Sequence, residues 1–115
     1  MGIASRHGVA GEAMAAAYLE LIGCTVVARN LSLVGVEVDL LIEEGRVQVL
    51  VEVKARSRAD YGGAARAVDH AKRARLLRAA CALDPTRPAR IDVIAIETSD
   101  EGATLRHYRN AVGGA

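Results

Sequence analysis

Two apolar runs near the middle of the chain, residues 36–42 and 47–53, have the length and composition of β-strands. The four residues between them include a Glu-Gly pair, and glycine readily adopts the positive φ that a hairpin turn requires. The pattern therefore predicts an antiparallel hairpin. Large apolar side chains occupy both faces of both runs, which is typical of central strands in a sheet that is covered on each side.

Charged side chains share one face of this predicted hairpin. Side chains alternate along a strand, and the predicted pairing places Asp39 opposite Leu50. It also places Glu37 opposite Glu52, with Lys54 on the same face. Asp39 and Glu52 are then diagonal neighbours with Cβ atoms on the order of 7 Å apart, near enough for both carboxylates to hold one ion.

Two interpretations of these charges remain open. In a sheet covered on both faces, buried charges need an opposite charge or a metal ion. On a solvated face, the same residues would form a cross-strand ion-pair ladder, which is the commoner role of charges in strands. The large apolar residues on either side of the charges favour the buried interpretation, and with it a site for chemistry.

Apolar periodicity and turn residues predict five further elements around the hairpin. The first is a helix that ends at Gly23, a typical C-terminal cap. The order helix, three strands, helix, two strands predicts an α/β fold with a mixed central sheet flanked by helices. The five elements are a helix over 9–22, a strand over 24–31, a helix over 64–83, and strands over 90–97 and 104–109.

Length and composition limit the classes of protein that remain. A chain of 115 residues predicts a single domain over residues 1–115. It has no run of eighteen apolar residues and no apolar core of a signal peptide at its N-terminus, so a cytoplasmic protein is expected. Cys24 and Cys81 lack the spacing of a zinc site, and we expect both to be small buried apolar residues.

The basic residues are unevenly distributed, although the formal net charge is only +1. Ten of the fifteen lie between Lys54 and Arg90, and half of the fourteen acidic residues precede them. This asymmetry favours a metal-bearing site beside a surface for a polyanion, whereas the alternative is an ordinary solvated surface with ion pairs. With no Trp or Phe and only three Tyr, the chain is poorly supplied for stacking on bases.

Asp39, followed thirteen residues later by Glu52-Val53-Lys54, resembles the signature of the restriction-endonuclease-like PD-(D/E)XK superfamily. Over nearly its full length the chain is similar to the YraN-like family of uncharacterised bacterial proteins, which resembles archaeal Holliday-junction resolvases in pattern. The stretches that carry this resemblance are, in order, Gly11-Glu12 with Tyr18-Leu19, Ala28-Arg29-Asn30, residues 35–40 and 51–56, Tyr61-Gly62-Gly63, Lys72-Arg73 with Arg75-Leu76, residues 90–93, and His107 with Asn110-Ala111.

The resemblance implies a restriction-endonuclease-like αβββαβ core and a metal-dependent DNA endonuclease, with branched DNA as a candidate substrate. Asp39, Glu52 and the main-chain carbonyl of Val53 would bind one or two Mg²⁺ or Mn²⁺ ions. Lys54 would orient the attacking water or stabilise the developing negative charge. Glu12, on the first helix, would complete the acidic cluster through a water.

Other predicted roles lie around this cluster. Glu37 would contact the side chains that bind the metal ion, without binding the ion itself. The loop after the hairpin and the second helix would contact DNA phosphates through Arg56, Arg58, Lys72 and Arg73. Because resolvases act as dimers on two-fold junctions, the resemblance also implies a homodimer.

The sequence departs from the family pattern at two positions. Family members usually have two glycines before the Glu-Ile-Asp motif, but here Val36 follows Gly35, which would fill a backbone able to approach a phosphate. Val38 also replaces the proline that gives the superfamily its name. Two alternatives to a nuclease therefore stay open: a nucleic-acid-binding module of the same fold without turnover, and a small scaffold protein.

Overall fold

The computed structural model describes residues 3–57 and 70–112, and their side chains from residue 10 onward. Within these residues, seven elements form a five-stranded mixed sheet with two helices, as the sequence predicts. The elements are α1 (Ile3–Leu21), β1 (Thr25–Leu33), β2 (Val36–Glu44), β3 (Val47–Ser57), α2 (His70–Ala80), β4 (Ala89–Ser99) and β5 (Gly102–Tyr108).

The strands lie in sequence order, β1-β2-β3-β4-β5, across the sheet. Neighbouring strands are antiparallel except for β3 and β4, which are parallel. A parallel pair requires a crossover connection, and α2 lies in the connection between these two strands. The predicted α/β class and mixed sheet are therefore confirmed. Within the described residues, no helix combines the length and hydropathy needed to cross a membrane.

Helix α1 ends at a glycine cap, as predicted. Gly23 has a φ of 99° and donates its N–H to the carbonyl of Glu20 at 3.1 Å, while the N–H of Cys24 reaches the carbonyl of Leu19 at 2.9 Å. These two bonds form a Schellman motif, in which the left-handed residue costs least when it is glycine. The motif turns the chain directly into β1.

The two helices contact separate apolar clusters. Beneath α1, the side chains of Ala15, Ala16 and Leu19 are completely buried against β2, β3 and β4. Beneath α2, Leu76 and Ala79 pack with residues of β2, β3 and β4 in a second cluster. Because small residues form the buried side of α1, this helix can lie close to the sheet.

The regular alternation of side chains between the two faces of β2 is interrupted near Asp39. Val38 packs in the cluster beneath α2, whereas Leu40 packs in the cluster beneath α1, although regular alternation would put both on one face. The paired residues of β2 and β3 also end at Leu40 and Val51. Beyond this point β3 continues to pair with β4 alone, as far as Ser57. The strands therefore separate where the conspicuous charges lie.

The hairpin register differs from the predicted one by two residues. Leu41, not Asp39, lies opposite Leu50, because the strands extend to Glu44 and Val47 around a two-residue turn. The sequence prediction assigned Glu44 to the loop, but its carboxylate is held at 2.8 Å by Arg90, which keeps it in the strand. A shift of two residues leaves every side chain on its original face. Asp39 and Glu52 thus remain on the same face.

The two cysteines differ in exposure. Cys24 is buried, as predicted, but Cys81 is exposed, so the prediction for Cys81 was wrong. Cys81 lies in the turn directly after the last residue of α2, Ala80, where the helical pattern no longer sets burial. The predicted start of this helix at residue 64 lies outside the described residues.

The close packing of α1 on β3 yields a first prediction. A Cβ atom added at Gly11 would lie 2.8 Å from the Cβ of Ala55, so Gly11→Ala must push the helix away from the sheet. We expect overpacking to cost about 1–3 kcal/mol, offset by up to about 1 kcal/mol of helix propensity. Urea denaturation of Gly11→Ala, Ala55→Gly and the double variant measures the effect.

In the double variant, the Ala55→Gly change removes the contacted methyl group and should restore most of the stability lost in Gly11→Ala. The two changes should therefore be strongly non-additive. A Gly11→Ala variant that is more stable than the wild type would contradict the close approach of α1 to β3.

Candidate active site

A cavity of about 280 Å³ opens where β2 and β3 separate. Side chains from α1, β2 and β3 surround it, so three elements that are distant in sequence converge there. Its lining residues are Glu12, Asp39, Glu52, Val53, Lys54, Ala55 and Arg56. All four residues predicted to be catalytic thus line one cavity.

Glu12 reaches the cavity because α1 lies close to the end of β3. The preceding residue, Gly11, is buried against Ala55 and Val53, and any larger residue there would separate the helix from the strand. Glu12 itself is half-buried. The glycine therefore sets how near this carboxylate can come to those on the sheet.

Asp39 is fixed by the backbone of the neighbouring strand. Its Oδ2 accepts a hydrogen bond of 2.7 Å from the main-chain N–H of Val53. Burial and the nearby negative charge of Glu52 raise the pKa of Asp39 to about 7, with a smaller contribution from Glu12. The bond from Val53 and the charge of Lys72 oppose this increase. Asp39 is therefore a crowded carboxylate that a cation would stabilise.

Glu52 is almost fully buried, with 4% of its surface exposed, and is held by two ammonium groups. The Nζ of Lys54 lies 3.0 Å from Glu52 Oε2, and the Nζ of Lys72 contacts the same oxygen. A buried carboxylate without such partners would carry a large desolvation cost. Both ion pairs are made by Oε2, so the two ammonium groups converge on one oxygen of the carboxylate.

The two lysines are placed in different electrostatic surroundings. Burial, followed by the hydrogen bond to Lys72, lowers the pKa of Lys54 against the opposing effect of Glu52. Burial also acts to lower the pKa of Lys72, but the hydrogen bonds to Glu52 and Lys54 outweigh it and raise this pKa. Lys72 is thus the more permanent cation. Lys54 is better suited to release and accept a proton.

The donor set fits a hard divalent cation. Asp39, Glu52 and the carbonyl of Val53 offer only oxygen ligands, which Mg²⁺ and Mn²⁺ prefer. Within residues 3–57 and 70–112, no three His, Cys, Asp or Glu side chains are grouped closely enough to hold an ion on their own. Mg²⁺ commonly binds through one or two carboxylates and keeps several waters, so two carboxylates and one carbonyl suffice.

The predicted DNA-contacting residues are distributed differently from the sequence prediction. Arg56 is exposed and lines the cavity of the candidate site. Arg73 is exposed on α2 and does not line that cavity. Arg58 lies outside the described residues. Lys72 belongs to the site itself through its contact with Glu52. Glu37 is exposed and does not line the site cavity.

Sequence reasoning missed the direct contact between Lys72 and Glu52. The available signal was the helical spacing, since Lys72 precedes the buried Leu76 by four residues and therefore shares its face. That signal was obscured because Leu77 looked equally apolar, yet Leu77 is 41% exposed. The face of α2 that packs on the sheet therefore carries a lysine.

A second buried polar cluster lies under α1, away from the site. Asp92 is completely buried and paired with Arg90 at 2.8 Å. His107 Nε2 lies 2.8 Å from Asp92, and its Nδ1 lies 2.9 Å from the hydroxyl of Tyr18. His107 lies on the edge strand β5, yet its side chain is only 5% exposed.

Comparison with known proteins identifies relatives across most of the chain. The sequence model of the family described as "Uncharacterised protein family UPF0102" matches residues 11–96. A UPF0102 protein of Halorhodospira halophila is 45% identical over 94 residues, which cover 80% of this chain and 78% of that protein. A UPF0102 protein of Geobacter sulfurreducens is 39% identical over 123 residues, covering 96% and 94%, respectively.

Some relatives are considerably longer. A UPF0102 protein of Bordetella petrii is 44% identical over 102 residues, which cover 80% of this chain but only 63% of that protein. The matched region extends from Gly11, beside the site, to Ile96 in β4 and therefore includes every residue predicted to be catalytic. The predicted resemblance to an uncharacterised bacterial family is confirmed.

The raised pKa of Asp39 predicts how stability depends on pH. Its folded-state pKa of about 7 exceeds the ordinary value of 3.8, so between these pH values the folded protein holds a proton that the unfolded chain has released. The free energy of unfolding should therefore fall as the pH rises from about 4 to about 7. Asp39→Asn keeps an acceptor for Val53 and should be more stable at pH 8, by at most about 4 kcal/mol.

Urea denaturation at several pH values, with chelator present, measures this difference. Asp100→Asn, in an exposed turn, is the matched control and should follow the wild type. If Asp39→Asn and the wild type lose stability in parallel between pH 4 and 7, the carboxylate of Asp39 is not crowded as described.

Proposed function

The chain belongs to the uncharacterised protein family UPF0102, and from its site we propose that it is a metal-dependent DNA endonuclease with a restriction-endonuclease-like core. One observation carries the proposal. Asp39, Glu52 and Lys54 meet around one cavity at the point where two central strands separate. Oxygen ligands beside an ammonium group are the components that phosphodiester hydrolysis with a divalent ion requires.

Stability alone does not account for these residues. Buried charged groups usually contribute less to stability than well-packed apolar residues of similar volume. Glu52 and Lys54 nevertheless lie inside a hairpin whose other buried positions are Val, Leu and Ile, apart from Gln48, whose amide pairs with the main chain of Asp84. Local departures from the rules of packing are expected at functional sites, which favours a chemical role over a scaffold role.

Asp39, Glu52 and the carbonyl of Val53 would hold Mg²⁺ or Mn²⁺. When bound, the ion supplies positive charge that neutralises the phosphate and makes a nearby water more acidic. Glu12 would contact the ion through water, consistent with a position at the edge of the same cavity. The hydrogen bond from Val53 fixes Asp39 before any ligand arrives, which is the preorganisation that catalysis needs.

The two lysines would divide the remaining work. Lys54, whose pKa is lowered by burial, would orient the attacking water and transfer its proton. Lys72 would keep its charge, hold one oxygen of Glu52 and stabilise negative charge on the phosphate. Arg56, exposed at the cavity, would contact the DNA backbone and position the strand.

A DNA-binding module without turnover is the second candidate, because two ammonium groups already compensate Glu52 within the protein. The valine in place of a family glycine does not support this alternative. Val36 is 4% exposed, packs in the cluster beneath α2 and does not line the site cavity. The approach to the site is therefore not filled by its side chain.

Branched DNA and a homodimer follow from the resemblance to Holliday-junction resolvases. A dimer would place two such sites on opposite strands of a junction, since two-fold symmetry relates both the subunits and the substrate. A protein with only three aromatic Tyr residues and no Trp or Phe would recognise such a substrate mainly by its shape and its phosphates.

Replacing Lys54 tests the proposed chemistry. Lys54→Ala should reduce cleavage on the order of 10²- to 10³-fold, because it removes a group that acts on the water or on transition-state charge. Its affinity for DNA should change only a few fold. The measurement is cleavage of linear, nicked and four-way-junction DNA with Mg²⁺, Mn²⁺ or chelator, alongside binding in chelator.

Two further variants sharpen this test. Lys54→Arg keeps the positive charge but not the proton transfer, so it should remain impaired if the lysine acts on the water. Arg78→Ala removes an exposed cation of α2 away from the cavity and should cleave as the wild type does. The nuclease proposal fails if the wild type cleaves none of these substrates, or if Lys54→Ala cleaves them equally well.

A further inference from the structure

We propose that a second cavity, between the β1–β2 turn and α2, binds a DNA phosphate next to the one that is cleaved. This inference rests on the proposed function, because it names where the same strand continues beyond the site. The cavity has a volume of about 320 Å³. Its lining residues are Gly35, Val36, Glu37, Lys72, Arg75 and Leu76.

The cavity has an apolar floor and a polar rim. Val36 and Leu76 are 4% and 1% exposed, so the floor of the cavity consists of well-packed core side chains. Gly35 turns the chain at a φ of 78°, and no atom of the described residues beyond its two chain neighbours lies within 4 Å of the position of an added Cβ. The backbone of the turn is therefore open to close approach by a ligand, which a side chain would obstruct.

The second cavity adjoins the candidate active site through two connections. Lys72 lines the second cavity, and its ammonium group contacts Glu52 in the first. On the opposite side, Glu37 lies two residues before Asp39 in β2. A strand that places one phosphate at Asp39 and Glu52 thus meets Lys72 as it passes into the second cavity.

Arg75 supplies the phosphate ligand in this cavity. It lies three residues after Lys72, so both side chains are on the same face of α2. Arg75 is exposed, and its guanidinium makes no hydrogen bond or ion pair with the part of the chain that the structure describes. A guanidinium group can donate two parallel hydrogen bonds to a phosphate, whereas an ammonium group acts as a point charge. Arg75 is therefore better suited than Lys72 to hold a phosphate of the DNA strand in one orientation.

Glu37 has the opposite effect to Arg75 on a bound phosphate, because its side chain is negatively charged. Its carboxylate is exposed on the rim of the same cavity and, like Arg75, has no ion-pair partner among residues 10–57 and 70–112. It therefore repels a phosphate and keeps the affinity of the cavity moderate. Removal of the two charges should consequently have opposite effects on one ligand, which a merely structural role would not produce.

This assignment changes the expected path of the DNA along α2. The sequence indicated Lys72 and Arg73 as neighbouring phosphate contacts, but consecutive helical residues point about 100° apart. The cavity contains Lys72 and Arg75. Because contacts to phosphate carry no direct sequence information, the subsite should strengthen binding to all sequences equally.

The test is binding of a fluorescent duplex oligonucleotide to the full chain in chelator, at a series of salt concentrations. Arg75→Gln should weaken binding several-fold and reduce the slope of log K against log salt by about 0.9, the value for one phosphate contact. Glu37→Gln should tighten binding. Arg78→Gln, the matched control on the same helix, should leave both the affinity and the slope unchanged.

Equal losses in Arg75→Gln and Arg78→Gln would overturn the subsite in favour of diffuse attraction along α2. Binding of a poly-glutamate peptide but not of the oligonucleotide would instead indicate an acidic protein segment as the ligand, and would also overturn it. Cleavage assays on the same variants separate this inference from the nuclease proposal. Arg75-dependent binding without cleavage upholds the subsite alone, whereas wild-type cleavage with unaltered Arg75→Gln binding upholds the nuclease alone.

Discussion

The hydrogen bond from the N–H of Val53 to Asp39 Oδ2 is the contact on which the candidate site depends. Strands β2 and β3 stop pairing at Leu40 and Val51, so the next backbone donor of β3 needs another acceptor. Asp39 supplies it, and the same bond fixes the carboxylate beside Glu52. Separation of the strands thereby opens a cavity without leaving a buried donor unsatisfied. The position of the site is therefore set by the point at which β2 and β3 stop pairing.

The charges that enter this opening form one interdependent set. Burial and the charge of Glu52 make the ionised form of Asp39 costly, while Glu52 itself is paired with two lysines. Lys54 and Lys72 come from different elements, so folding of α2 onto the sheet completes the set. A protein that needed only a stable hairpin would be better served by apolar residues at these positions. The arrangement is consistent with the proposed binding of a cation and a phosphate.

Much of the fold could be predicted because its signals are local. The apolar runs, the cap at Gly23 and the alternation of side chains gave the elements and the common face of Asp39 and Glu52. The register could not be predicted, since it depends on Glu44 being held by a residue 46 positions later in the chain. The place of Lys72 in the site was missed for a related reason, because only packing distinguishes the buried Leu76 from the exposed Leu77.

Diffraction from crystals soaked in Mn²⁺ tests the central claim most directly, since anomalous scattering locates the ion without reference to activity. The account predicts one strong peak, or two close peaks, within about 2.5 Å of carboxylate oxygens of both Asp39 and Glu52, close to the carbonyl of Val53. Asp39→Asn crystals should lose this density. A map with no peak at this cavity, or with Mn²⁺ bound only elsewhere on the protein, would contradict the assignment of the cavity as a metal-dependent active site.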